Sequence, residues 1–172
     1  MIRLNSIFMY KYLILFFLLP ILSVAQEDKG FEKAFKAYDK GDYEKALDLF
    51  NKIEESQSSN AEFFLFRGIC FSETGNDVKA IADYNLAIEI DNEYPEAYNQ
   101  RGFSFFSQGN DSLAIKDFDR AIELNPEMVE IYMNRGSAKY DAGDTKGACE
   151  DWKTAKVKGL GIADQLIEQL CK

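Results

Sequence analysis

The chain has 172 residues, 47% of them apolar and 28% charged, with no histidine and a net charge of −9. That length suits about one domain. The lack of histidine removes the commonest general base and the commonest metal ligand, and the acidic balance disfavours nucleic acid and anionic lipid headgroups as partners.

The first predicted element is a leader. Arg3 and Lys11 accompany an apolar block from Tyr12 to Leu22, and Ser23-Val24-Ala25 stands just before the charged Glu27-Asp28. This order predicts a secretory signal peptide over 1–25, cleaved after Ala25. The alternative is a retained membrane anchor, but the block is shorter than the roughly 20 residues that span a bilayer, and Pro20 interrupts it. Cleavage would leave 26–172 as the mature domain and remove two basic residues and no acidic ones, taking the charge from −9 to −11. The expected location is the periplasm or the cell exterior, with tethering to a membrane if the leader stays.

Beyond the leader, one mark recurs every 34 residues: Gly41-Asp42, Gly75-Asn76, Gly109-Asn110 and Gly143-Asp144. Five residues after each glycine stands an alanine (Ala46, Ala80, Ala114, Ala148), and nine after stands an aromatic (Phe50, Tyr84, Phe118, Trp152). Seven before stands Ala34, Gly68, Gly102 or Gly136. A period of that length signals a repeat architecture. Within 61–94, apolar residues crowd a first helical segment up to about Gly75, and Val78, Ala80, Ile81, Tyr84, Ala87 and Ile88 follow at spacings of three and four, as on an amphipathic helix. Gly75 supplies a left-handed C-cap and Asn76 an N-cap, so the unit is a helical hairpin closed by small residues that let the two backbones approach.

These residues resemble the tetratricopeptide repeat. Its pattern is met by Phe64, Gly68, Phe71, Ala80 and Tyr84, and again by Tyr98, Gly102, Phe105, Ala114, Phe118 and Pro126. The fourth unit has Lys139 where an aromatic is expected, and the first has Gly30 in place of the leading aromatic. The resemblance implies an all-α fold, a right-handed α-solenoid of four hairpins over 27–60, 61–94, 95–128 and 129–162. After them, Ile162, Ala163, Leu166, Ile167 and Leu170 share one face of a predicted capping helix over 162–171, which covers the end of the stack.

One departure from the family recurs. Arg67, Arg101 and Arg135 stand where leucine is usual, and each of those units carries an aspartate on its second helix, Asp83, Asp117 or Asp151. The first unit has Lys33 and Leu49 at these places. Such joint occurrence predicts a structural ion pair across each hairpin. Among the cysteines, Cys149 and Cys171 come level if the last two helices fold back about Leu160, which leaves a disulfide or two packed thiols open; Cys70 is expected to be a buried free thiol.

No nucleophile elbow, phosphate-binding loop or isolated carboxylate pair is present, so the expectation is a non-enzyme with no cofactor and no metal. The resemblance implies a groove lined by the first helices that binds peptide or protein segments. By repeat register it would present Phe31, Phe35 and Tyr38; then Glu62, Leu65, Phe66, Ile69 and Glu73; then Asn99, Gln100, Phe103 and Phe106; and last Met133, Asn134, Ser137 and Tyr140. Each aromatic could instead pack against a neighbouring helix. Some members of the family grip a C-terminal carboxylate with basic residues here, but Phe31 and Phe35 take such places in the first unit. A protein or peptide segment with apolar anchors and basic flanks is therefore the expected partner, with no nucleic acid and no small-molecule substrate. The alternative function is a structural subunit of a homo-oligomer or cell-envelope complex with no exchangeable ligand.

Overall fold

The structure is a computed structural model, described for residues 29–172; the predicted signal peptide lies outside them. The described residues form helices and turns and contain no strand. They fall into two compact units divided after Ser58.

The first unit holds helix α1 (29–39), helix α2 (Tyr43–Asn51) and a 3-10 turn (Glu54–Gln57). Ala34 and Ala37 on α1 and Ala46 and Phe50 on α2 are buried. Phe31 lies 6.0 Å from Phe50, ring centre to ring centre. A side chain at Gly30 would meet Ile53 Cγ2 at 2.8 Å, so the isoleucine occupies the space that the leading aromatic of a repeat would need.

The second unit stacks three hairpins and a terminal helix. Helix α3 (Ala61–Glu73) pairs with α4 (Asp77–Ile90), α5 (Pro95–Ser107) with α6 (Asp111–Leu124), and α7 (Val129–Asp141) with α8 (Thr145–Val157); α9 (Ala163–Leu170) packs on α8. Each hairpin turns at a glycine in the left-handed region, with φ of 80° at Gly75, 74° at Gly109 and 89° at Gly143. The residue after it donates its N–H back into the first helix: Asn76 to the Phe71 carbonyl, Asn110 to Phe105 and Asp144 to Lys139, at 2.7, 2.9 and 2.8 Å. The side-chain caps are less uniform than the sequence predicts. Asn76 and Asp144 accept from Lys79 N and Gly147 N, but Asn110 does not cap, because the Leu113 N–H it would serve already donates to the Asn110 carbonyl at 3.0 Å.

Packing within a hairpin depends on the small residue opposite the aromatic. A methyl group at Gly68 would lie 2.6 Å from Tyr84, one at Gly102 2.9 Å from Phe118, and one at Gly136 2.6 Å from Trp152. One edge of the ring thus lies against the bare backbone of the first helix. Pro95 opens α5 at its first position, where no N–H is needed, whereas Pro126 sits in the turn before α7. The leading aromatics hold these turns: Tyr98 Oη donates to the Asn92 carbonyl at 3.3 Å and Tyr132 Oη to that of Pro126 at 3.2 Å.

The terminal helix departs from the predicted face at one residue. Leu166, Ile167 and Leu170 pack on a cluster of Tyr132, Trp152 and Ala155, with Ala163 fully buried. Ile162 does not join them; it precedes the helix and is 64% exposed.

Candidate binding face and the arginine clamps behind it

Each arginine before a hairpin glycine reaches the second helix of its own hairpin. Arg67 Nε and Nη2 donate to the two Asp83 oxygens at 2.7 and 2.8 Å, Arg101 to Asp117 at 2.7 and 2.8 Å, and Arg135 to Asp151 at 2.8 and 2.6 Å. The three aspartates are buried. A planar fork on a carboxylate fixes both distance and rotation, so these pairs set the register of the hairpin.

The arginines do more than the sequence reading assigns. Arg101 Nη1 also donates to Asn85 Oδ1 at 2.7 Å, and Arg135 Nη1 to Asp119 Oδ1 at 2.6 Å, each on the second helix of the preceding hairpin. One side chain therefore joins two hairpins. A signal for this was present, since Asn85 and Asp119 are themselves 34 residues apart and each lies 16 before its arginine. Lys139, the apparent misfit of the fourth unit, places Nζ 2.9 Å from Asp151 and adds a second cation to that cluster. Burial acts to lower the Arg135 guanidinium, but its hydrogen bonds to Asp151 and Asp119 outweigh this and hold it above the usual arginine range.

Large apolar side chains are exposed on the face of α3, α5 and α7 away from the ion pairs, and also on the second helices at Val78, Leu86 and Leu113. Helices α3, α5 and α7 adjoin in that order. Asn134 Nδ2 donates to Asn99 Oδ1 at 3.5 Å where α5 meets α7. One turn further along α5, Phe103 is 45% exposed; on α7 Tyr140 is 37% exposed, its ring 5.8 Å from Trp152. Phe66, Ile69, Gln100, Phe106, Met133 and Asn134 are half-buried. Two residues assigned to this face are inside the protein: Leu65, at 3% exposure, and Asn99, at 8%. A first helix is flanked by neighbours on both sides, so the stripe left open is narrower than periodicity alone suggests.

In the first unit Phe35 is exposed, while Phe31 and Tyr38 are half-buried. They form a run of rings, with centres 6.4 Å apart for Phe31 and Phe35 and 5.7 Å for Phe35 and Tyr38.

Cys149 and Cys171 form a disulfide between α8 and the residue after α9. Cys70 is a buried free thiol, and burial pushes it up to about 12. Among the described residues no group of three or more His, Cys, Asp or Glu is placed to hold a metal, and no helix is long and apolar enough to cross a membrane.

Two repeat-family profiles match the chain, Tetratricopeptide repeat over residues 95–128 and TPR repeat over 70–109. No curated protein sequence matches it. Among solved structures, the fold is similar to MamA, at 22% identity and a TM-score of 0.71 over 81% of each chain. It is also similar to the first TPR domain of Spaghetti (RPAP3) bound to the HSP90 peptide SRMEEVD, at 25% identity and 0.66 over 68% of this chain and 93% of that one. A third similar structure is YrrB, a TPR protein with an unusual peptide-binding site, at 20% identity and 0.69 over 76% and 67%. With helical hairpins of one geometry recurring at one interval and repeat matches running through the middle of the chain, the protein belongs to the tetratricopeptide repeat family and has its all-α solenoid fold.

Proposed function

We propose that the protein is a non-catalytic interaction scaffold that binds a peptide or protein segment on the face of its first helices. The observation that carries this reading is the exposure of Phe103 and Tyr140 on adjacent first helices, whereas Phe63, Tyr84, Phe118 and Trp152 are buried inside the hairpins. Exposed aromatics beside half-buried polar groups such as Gln100 and Asn134 are the composition of a recognition surface. Similar folds that carry a bound peptide or a peptide-binding site support the reading. Apolar anchors with basic flanks suit the partner, given the net charge of −9.

The test compares partners recovered by photo-cross-linking from the wild-type protein and from a Phe103→Ala/Tyr140→Ala variant whose circular dichroism and melting temperature are unchanged. Partners lost from the variant support the face; the same partners recovered from both defeat it. A stable dimer at low concentration by light scattering, with no other partner, would instead favour a structural subunit. Export through the predicted leader is part of the proposal, and mass measurement of the mature N-terminus in its native host checks it.

A further inference from the structure

The first helices of the three hairpins carry glutamate at the same place. Glu62, Glu96 and Glu130 are each the second residue of α3, α5 and α7, and they recur at the 34-residue interval. An acid in the first turn favours the helix dipole wherever it points. Glu96 lies on the side that carries Phe103, which follows it by seven residues, two turns along one face of α5, and Glu62 and Glu130 hold the same register place on α3 and α7. The hairpin aspartates are held by arginine, whereas the three glutamates enter no ion pair among the described residues. Their field is felt nearby: burial first, then the charges of Glu62 and Glu96, push the Tyr94 phenol up to about 12.

We infer that this face takes an extended segment of opposite charge to the acidic peptide SRMEEVD held by the similar Spaghetti (RPAP3) domain. The segment lies across α3, α5 and α7, its lysine or arginine side chains along the glutamate row and its apolar side chains toward Phe103 and Tyr140. This rests on the reading of the face as a segment-binding surface with a basic ligand and adds the place and spacing of the ligand charges. Packed helices stand about 8–10 Å apart. A polyproline-type segment advances about 9 Å in three residues and returns to the same side. The recognised pattern is therefore a cation at every third position.

The probes are three synthetic nonapeptides, repeats of Lys-Leu-Ser, Gln-Leu-Ser and Glu-Leu-Ser, together with SRMEEVD, titrated by calorimetry into the full chain beyond any leader. The Lys-Leu-Ser peptide is expected to bind, and the Glu-Leu-Ser peptide and SRMEEVD are not. Glu62→Gln/Glu96→Gln/Glu130→Gln should weaken binding about tenfold. Glu89→Gln/Glu150→Gln/Glu168→Gln, which changes the net charge equally at exposed sites on α4, α8 and α9, should weaken it less than about threefold. Absence of Lys-Leu-Ser binding, equal binding of SRMEEVD, or equal loss in the two triple variants overturns the inference. If binding depends on Phe103 and Tyr140 but not on the glutamates, only the charge assignment fails. If it is indifferent to Phe103→Ala/Tyr140→Ala, the underlying face reading fails with it.

Discussion

Arg101 and Asp117 meet through two parallel hydrogen bonds of 2.7 and 2.8 Å, and the third arm of the guanidinium crosses to Asn85 in the hairpin before. The carboxylate is buried and the arginine nearly so. Removing it leaves a half-buried cation whose other side-chain partners, the Asn85 amide and the Tyr98 ring, are neutral. Asp117→Ala should therefore cost about 3 kcal/mol in urea unfolding. Asp119→Ala is the contrast: that carboxylate is 49% exposed and Arg135 keeps Asp151, so its cost should stay below about 1 kcal/mol. Equal costs would show that the clamps do not depend on the buried aspartate.

Two glycines of the fourth hairpin should fail for different reasons. A methyl group at Gly136 would meet Trp152 Nε1 at 2.6 Å and the Ala148 carbonyl at 3.2 Å, and backbone cannot yield as a side chain can. Gly136→Ala should cost about 1–3 kcal/mol and shift the fluorescence of Trp152, the only tryptophan in the chain. Gly143 has open space but φ of 89°, so Gly143→Ala should cost about 1 kcal/mol and leave the emission unchanged. Thermal melts followed by fluorescence separate the two.

The contrast between these glycines also shows what sequence conveys about this fold. A glycine forced into the left-handed region leaves a mark at a fixed place, and four such marks gave the period, the hairpins and the aromatic that packs on each small residue. Contacts within one hairpin follow from that ruler. Contacts between hairpins depend on how one unit sits on the next, which no single unit encodes; hence the second arms of Arg101 and Arg135 leave in sequence only the 34-residue recurrence of Asn85 and Asp119, which does not say what those side chains touch. The same holds for Leu65, whose place on the helix matches the open face although its side chain is enclosed. Ile162 shows the opposite limit. It continues the apolar stripe of α9 in sequence and its backbone is already helical, yet it stands at the N-cap with its side chain 64% exposed, so period alone does not bury a residue where the helix begins.

Alkaline pH should weaken the fold. Burial raises the Cys70 thiol from 9.0 to about 12, and burial with nearby glutamates raises the Tyr94 phenol from 10.0 to about 12. Both groups are uncharged when protonated, so between about pH 9 and 12 the folded chain holds protons that the unfolded chain has released. Stability is then full below pH 9 and falls as pH rises through this window. Denaturant midpoints measured from pH 7 to 11 check the slope. Cys70→Ala should lower the curve at every pH through the cavity it leaves, yet make the alkaline slope shallower; an unchanged slope would remove Cys70 from the account. The same burial predicts that iodoacetamide leaves Cys70 unmodified in the folded protein at pH 8 and labels it once the chain unfolds.

The disulfide and the terminal helix can be tested together. Helix α9 has eight residues, fewer than the roughly 12–15 that a helix needs to persist alone in water. It is held by Leu166, Ile167 and Leu170 on the Tyr132, Trp152 and Ala155 cluster, and by the bond from Cys171 to Cys149 across 22 residues. Closing a loop of that size is worth about 3 kcal/mol. A Cys149→Ser/Cys171→Ser variant should thus lose amide protection in α9 first, while α3 to α6 exchange as before. Loss of the cap wets one side of the cluster, so Trp152 emission should move to longer wavelength at denaturant concentrations too low to unfold the hairpins. If α9 stays as protected as in the bridged protein, its three apolar side chains suffice to hold the cap, and the disulfide is redundant for it.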